Sequence, residues 1–505
     1  MGATPAPKMT VLNVGHFAGS GAGHAPKRPT VFAAGESRNS TPSAKARGKG
    51  VFAVQSQGRA GIRGGINACD RLHRCASPCF FAFGSFGGNQ IIFWRWERKG
   101  AEMNEEDPIS TAIGAIVNAG ALAGAATLVW RAGRVIQAAG VGWRDVEAKL
   151  PIERDTLFRI ASMTKPITST AALMLFEEGR FALDDPIARW APEFSQMRVL
   201  RSLDGPLDQT DPAERPITFE DLLTHRSGLT YGAFHTGSLA RAYEEALGGE
   251  VDSHVAPDDW IAGLAALPLI DQPGAAFHYG HSTDLLGLLI ARIEDAPLGA
   301  VLKRRIFDPL GMKDTGFTVT PEKRDRRAGM YGFDEAGRLV KRLTATGRST
   351  LPERPEDMKY EGGGGGLWST LDDYLAFARI FVGAGTVDGV WLLRPETLTL
   401  MTSNQLTESQ RGNAALLSSG HGFGLGMAVV LDPEKADPIL CGGRVGSVGW
   451  PGAWGGWWQA DPSDNSVLIF LAHNMVELDQ FAQGIGFGVF DAILRFQSLA
   501  SSIPR

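Results

Sequence analysis

Ser162-Met-Thr-Lys165 places a hydroxyl and an amine three residues apart, a spacing that puts both side chains on one face of a helix. A serine hydroxyl is a poor nucleophile at neutral pH, and an amine desolvated or held between polar groups beside it helps to remove its proton. A helix start also offers unpaired N–H groups and a partial positive charge to a developing oxyanion. Alone the spacing is weak, because a Ser three residues before a Lys arises by chance about once in a chain of this length. Two further stretches give it company. Tyr279 stands in Pro273-Gly-Ala-Ala-Phe-His-Tyr-Gly-His-Ser282, just ahead of the amphipathic run Leu285–Ile290. By itself it reads as a rim tyrosine with its hydroxyl in water. Gly446-Ser-Val-Gly-Trp-Pro-Gly-Ala-Trp-Gly-Gly456 leads into Trp457-Trp458. Glycine at 452 lets backbone approach a ligand closely, the N–H of Ala453 is available to an oxyanion, and Pro451 has none to offer.

Other chemistries lack their residues. His-Glu-x-x-His is absent, and Gly280-His-Ser282-Thr-Asp284 only imitates the Gly-x-Ser-x-Gly elbow of an α/β-hydrolase. The glycine run 362–366 has no following Lys-Ser/Thr, which argues against a phosphate loop. His225, in Thr-His-Arg-Ser-Gly, reads as a residue that fixes a loop through backbone bonds. Trp454, Trp457 and Trp458 fit either an acyl pocket or core packing. The 505 residues are 44% hydrophobic and 21% charged with a formal charge of −5, the composition of a soluble globular protein without a nucleic-acid footprint. Ala119–Trp130, the longest apolar candidate, is short of the roughly 18 residues of a membrane span. No secretory apolar region is visible, and three of the 4 cysteines lie near the N-terminus, so a cytoplasmic, reducing setting is expected.

The elements that must position these groups begin near residue 103. Residues 1–102 are rich in Gly, Ala, Pro, Ser and basic residues, almost without acids, and read as a low-complexity, disordered extension. The Cys69, His73, Cys75, Cys79 cluster within it matches no standard zinc spacing, and no metal is expected. From Pro108 the pattern predicts a helix over 109–121 and a hairpin of 126–130 with 135–139. Residues 156–160 then run into a helix from Ser162 to Gly179. A largely helical stretch follows over 184–300, then strands at 425–431 and 467–472 and a terminal helix at 481–499. An early hairpin, a helical middle and late strands predict one domain over 103–505. It is an α/β (α+β) fold whose antiparallel sheet is flanked by helices, with a mostly helical lobe at about 180–305 inserted in it.

Taken in order, these motifs resemble the serine β-lactamases of class C, the DD-peptidases and especially the family VIII carboxylesterases. The resemblance rests on Ser162 and Lys165, on Tyr279-Gly280-His281 as a Tyr-x-Asn-type triplet, and on Trp450-Pro451-Gly452 where lactamases carry Lys-Thr-Gly. Leu222-Leu-Thr-His225-Arg-Ser-Gly228, the glycine run with Leu367-Trp-Ser-Thr370, and Asp461-Pro462 support it, so that it covers about residues 110–500. It implies a β-lactamase/transpeptidase-like fold and an acyl-enzyme on Ser162, with Lys165 and Tyr279 handling protons. The backbone N–H groups of Ser162 and Ala453 would form the oxyanion hole, and His281, Trp450, Gly452 and Trp454 would contact substrate, without a cofactor. His281 stands in place of the usual Asn, and Trp450 removes the cation expected to grip a β-lactam carboxylate. A small ester of short to medium acyl length is therefore the expected substrate. A β-lactamase or D-amino-acid peptidase, or a silent binder of peptide or cell-wall fragments, are the alternatives. On the composition of residues 1–102, deleting residues 2–102 is expected to leave ester hydrolysis and melting temperature almost unchanged; an insoluble or inactive truncation would make the segment part of the structure.

Overall fold

The computed structural model describes residues 107–342, 354, 357–412, 416–476, 480 and 483–503, all within the second of two units into which the chain divides, Met103–Arg505. The expected N-terminal extension and its Cys/His cluster lie outside the described residues. Helix α1, Pro108–Asn118, starts where Asp107 accepts a hydrogen bond from Ile109 N at 3.0 Å and Pro108 fills the first position, which needs no N–H. The predicted hairpin follows as β1, Gly124–Arg131, and β2, Arg134–Asp145, with β3, Leu150–Pro151, beside β2. The other strands of this sheet come from the far end of the chain: β4, His421–Phe423; β5, Ala428–Val430; β6, Val448–Gly449; β7, Trp457–Asp461; and β8, Ser466–Ala472. The order is β4-β5-β6-β7-β8-β1-β2-β3, every pairing antiparallel, and Ala125 stands opposite Ala472 where β1 meets β8.

Alternation along β1 and β8 assigns side chains to two cores. Ala125, Val129, Leu468 and Phe470 face α1 and the terminal helix, with Trp457 from β7. Ala126, Leu128, Ile469 and Leu471 face the main core, with Trp458. Helix α2, Thr164–Glu177, lies in that main core and is buried nearly all round, so it carries no polar stripe. The helical middle holds α3, Phe219–Leu223; α4, Gly237–Leu247; α5, Pro257–Ala266; and α6, Ser282–Glu294, together with an unpredicted small pair of strands, Arg198–Leu200 with Thr210–Pro212. Helix α7, Leu371–Ala378, packs on β1 and β8 from the main-core side. The terminal helix, α8, Gly488–Ser502, begins later than the predicted 481 because Gly484 and Gly486 hold the left-handed region, at φ 77° and 82°, which breaks a helix. Among the described residues no helix is long and apolar enough to cross a membrane.

One buried ion pair ties the helical middle to the strand that leads to Ser162. Arg159, in the two-residue strand Phe158–Arg159 paired with Trp368–Ser369, donates to Asp252 at 2.8 Å, and both side chains are at most 2% exposed. Its guanidinium also lies 5.2 Å from the ring centre of Trp454 and 5.7 Å from that of Trp368. Removing one partner of such a pair takes its counter-charge from a group buried in the interior. Asp252→Ala is therefore expected to lower unfolding stability by about 3–5 kcal/mol, read from the urea midpoint; a change below about 1 kcal/mol would mean that the pair is dispensable.

Candidate active site

Strand residue Arg159 is followed by Ile160, whose N–H donates to Leu367 O at 2.9 Å, and then by Ala161 at φ 46°. A non-glycine residue in the left-handed region costs on the order of 1 kcal/mol or more, and such strain is characteristic of functional turns. The segment Ala161–Met163 is a 3-10 turn, and the α-helix begins only at Thr164, a residue or two after the sequence-based start. Ser162 therefore stands on a tight turn and Lys165 in the first turn of α2. Lys165 is fully buried. Its Nζ donates to Ser162 Oγ at 3.2 Å, to Tyr231 Oη at 3.1 Å and to the carbonyl of Gly364 at 2.7 Å.

Tyr279 Oη donates to Ser162 Oγ at 2.7 Å, and Lys165 Nζ lies 4.6 Å from the centre of the Tyr279 ring. Trp450 Nε1 donates to Tyr279 Oη at 2.9 Å, giving that oxygen a second polar neighbour. The Trp450 ring is 3% exposed and packs on Phe423 and Tyr279, so it presents an N–H to the site and very little apolar surface. Gly452 is required by close approach, since a Cβ there would lie 2.5 Å from the carbonyl oxygen of Ile160. This contact brings the exposed residue Ala453 alongside the turn that carries Ser162. Among the described residues, the N–H groups of Ser162 and Ala453 have no hydrogen-bond acceptor.

The geometry departs from expectation at His281. Its ring is 1% exposed, bonds to Asp284 Oδ2 through Nδ1 at 3.1 Å, and is enclosed by Tyr231, Tyr243 and Trp260. The tyrosine hydroxyl that accepts from Lys165 belongs to Tyr231, a residue the sequence did not single out. Tyr231 Oη in turn donates to Asp284 Oδ2 at 3.3 Å, and the same carboxylate accepts from Gly364 N at 2.8 Å through Oδ1. Burial, reinforced by the Asp284 charge, pushes the Tyr231 phenol well above its ordinary range, so it remains a neutral donor. The glycine run is explained by the same packing: a Cβ at Gly364 would lie 2.8 Å from the Asp284 carboxylate, and one at Gly363 2.8 Å from Thr283 O. Gly280 likewise packs on the Thr230 backbone, which brings the loops of Tyr231 and Tyr279 together.

The remaining aromatic candidates are structural in position. Trp454 is 2% exposed against Arg159 and His473. Trp457 and Trp458 are fully buried, so of the two roles open to them the structure takes core packing. The carbonyl of His225 accepts from His278 N at 2.7 Å, and its buried ring lies 4.8 Å from that of Tyr279. Burial, then the neighbouring Lys165, hold this imidazole well below its ordinary pKa and hence neutral. Among the described residues no three His, Cys, Asp or Glu side chains converge as a metal would require.

The arrangement offers a hydroxyl flanked by a buried amine and a phenol, with two unengaged N–H groups nearby, the components of acyl transfer through serine. The comparisons agree. The chain is 46% identical over 366 residues to Protein Rv1367c of Mycobacterium tuberculosis, covering 72% of this chain and 88% of that protein. It is 31% identical over 367 residues to Esterase EstB of Burkholderia gladioli, covering 70% of this chain and 87% of the esterase. Among solved structures it resembles EstCE1, a hydrolase with promiscuous acyltransferase activity, at a TM-score of 0.61 and 26% identity over 76% of this chain and 98% of the other. The fold is thus the β-lactamase/transpeptidase-like one, a large antiparallel sheet flanked by helices. The family model described as Beta-lactamase matches residues 109–485, and the chain belongs to that family.

Proposed function

We propose that the protein is a carboxylesterase that forms an acyl-enzyme on Ser162 and acts on neutral esters of short to medium acyl length. Once the resting Tyr279 phenol has given up its proton to solvent, Ser162 Oγ attacks the ester carbonyl carbon while its own proton passes to the Tyr279 phenolate oxygen, and the carbonyl oxygen, now negative, takes hydrogen bonds from the N–H groups of Ser162 and Ala453. The C–O bond to the alcohol breaks, and the alcohol leaves with the proton from Tyr279. Water then attacks the acyl-enzyme, gives its proton to Tyr279 and releases the acid, and Ser162 recovers the proton. Lys165 holds the Ser162 oxygen and Trp450 Nε1 the Tyr279 oxygen, while Tyr231 and the Gly364 carbonyl hold Lys165, with Asp284 behind them.

The observation that carries the choice of substrate is the Trp450–Tyr279 hydrogen bond. Where the lactamase pattern has a lysine, this site has a neutral donor turned inward and 3% exposed. Among the described residues the cation that reaches the reacting oxygens is Lys165, which is fully buried and already shared among three oxygens. A substrate carboxylate entering here loses the roughly 1.5–3 kcal/mol of a charge-assisted hydrogen bond, or about ten- to hundredfold in affinity. A neutral ester loses nothing by the same exchange. The relationship to Esterase EstB and to EstCE1 supports the reading.

Catalytic efficiency on p-nitrophenyl butyrate is expected to exceed that on any carboxylate-bearing cephalosporin, with Ser162→Ala abolishing the acyl adduct seen by mass spectrometry while the fold is kept. Faster cephalosporin cleavage would promote the lactamase alternative, and an unchanged adduct in the variant would move the nucleophile elsewhere. Trp450→Phe keeps a ring but removes the N–H from an oxygen that changes protonation during the reaction. Its kcat is expected to fall about ten- to hundredfold with KM little changed. A variant as fast as wild type would leave the indole a purely packing role.

A further inference from the structure

Phe234 is 42% exposed, and among the described residues with a large apolar side chain left in solvent it is the one whose ring meets Tyr279. The two rings are nearly parallel, 29° apart with centres at 6.3 Å, and the Phe234 ring stands edge-to-face on Tyr231 at 5.8 Å. An aromatic ring exposed on a mobile loop is common, but this one is held. It closes the 3-10 turn Gly232–Phe234, whose Ala233 N–H donates to the Glu250 carboxylate at 2.6 Å. On either side of the turn, His235 Nε2 and Thr230 Oγ1 are joined at 2.9 Å. Gly232 presses the turn onto α4 so closely that a Cβ would lie 2.7 Å from that of Tyr243. A fixed ring beside a reactive phenol, packed on one side and left 42% exposed on the other among the described residues, is preorganised apolar surface.

We infer that Phe234 is a specificity-determining residue for the alcohol portion of the ester, favouring aryl and other flat apolar alcohols. The inference rests on the proposed mechanism, in which Tyr279 Oη hands its proton to the departing alcohol oxygen. The alcohol must therefore leave across the Tyr279 side of the site, where Phe234 extends the ring surface outward. The carbonyl oxygen is engaged elsewhere, by the N–H groups of Ser162 and Ala453, which leaves the acyl chain away from Phe234. By microscopic reversibility an alcohol that accepts the acyl group from Ser162 meets the same ring on entry.

Two substrate series separate the sides of the site: butyrates of methanol and benzyl alcohol, and methyl esters from acetate to hexanoate, each with wild type, Phe234→Ala and Phe234→Leu. The benzyl-to-methyl ratio of kcat/KM is expected to fall about three- to tenfold in Phe234→Ala, the range of one aromatic contact, and less in Phe234→Leu, while the dependence on acyl length stays as in wild type. An unchanged ratio, or a shift in acyl-length dependence in its place, overturns the assignment. If wild type cleaves none of these esters, the esterase reading fails separately. Protection of Ser162 from a fluorophosphonate by benzyl alcohol then decides: protection in wild type but not in Phe234→Ala supports the contact, and equal protection, or none in either, overturns it.

Discussion

A primary amine has been taken wholly out of water at Lys165, and most of the site can be understood as what that burial requires. Three oxygens surround the nitrogen, from a serine, a tyrosine and a backbone carbonyl, and among the described residues no carboxylate is in direct contact. A compensating charge, Asp284, is reached through the phenol of Tyr231 and is itself held by Gly364 N and His281. A buried polar group is tolerated when its hydrogen bonds are met and is costly when one is missing. The glycine run, the Gly280 contact and the position of His281 are therefore one construction, in which backbone comes close enough to serve an amine and its distant counter-charge.

That construction needs rigid supports on two sides. Helix α2 supplies Lys165 from the middle of the main core, and the residues before β7 supply Trp450 and Ala453 from the sheet. Tyr231 and Tyr279 arrive on loops of the helical middle, which Arg159 and Asp252 fasten to the strand leading into the Ser162 turn. The strained Ala161 sits where these supports meet, in keeping with strain that the surrounding packing, rather than the local sequence, maintains.

Spacing made part of this legible in the sequence. Ser162 and Lys165 are three apart, and any helical or near-helical path brings them together. Tyr279 and the Trp450–Gly452 stretch stood out because turn residues isolate them between periodic segments. The hairpin of β1 and β2 and the long helix after Ser162 follow from period alone. Tyr231 was not legible, because it lies in a polar loop with no period and reaches Lys165 only through the path of the chain between α3 and α6. Asp284 reads as an ordinary acid in the first turn of a helix. The glycine run showed what it was not, a phosphate loop, while its actual task depends on a carboxylate 80 residues away in the chain. The inward turn of Trp450, and the enclosure of His281 and Trp454, are likewise matters of tertiary packing that residue type does not encode.

The pairing of β1 with β8 has a consequence for how the protein is made. Ala125 and Ala472 are partners, so the centre of the sheet joins a strand synthesised early to one synthesised nearly last. At translation rates of about 5–20 residues per second, β1 waits on the order of tens of seconds for that neighbour. During this interval the nascent chain carries a largely apolar strand, paired on one side by β2 and open on the other, the kind of edge that recruits foreign strands. The helical middle emerges in the same interval and can begin to fold through its own short-range contacts. The ribosome-bound chain is thus a helical lobe with an unfinished sheet, and holding that open edge apart from other chains until β8 appears is a task for the cell rather than for the sequence.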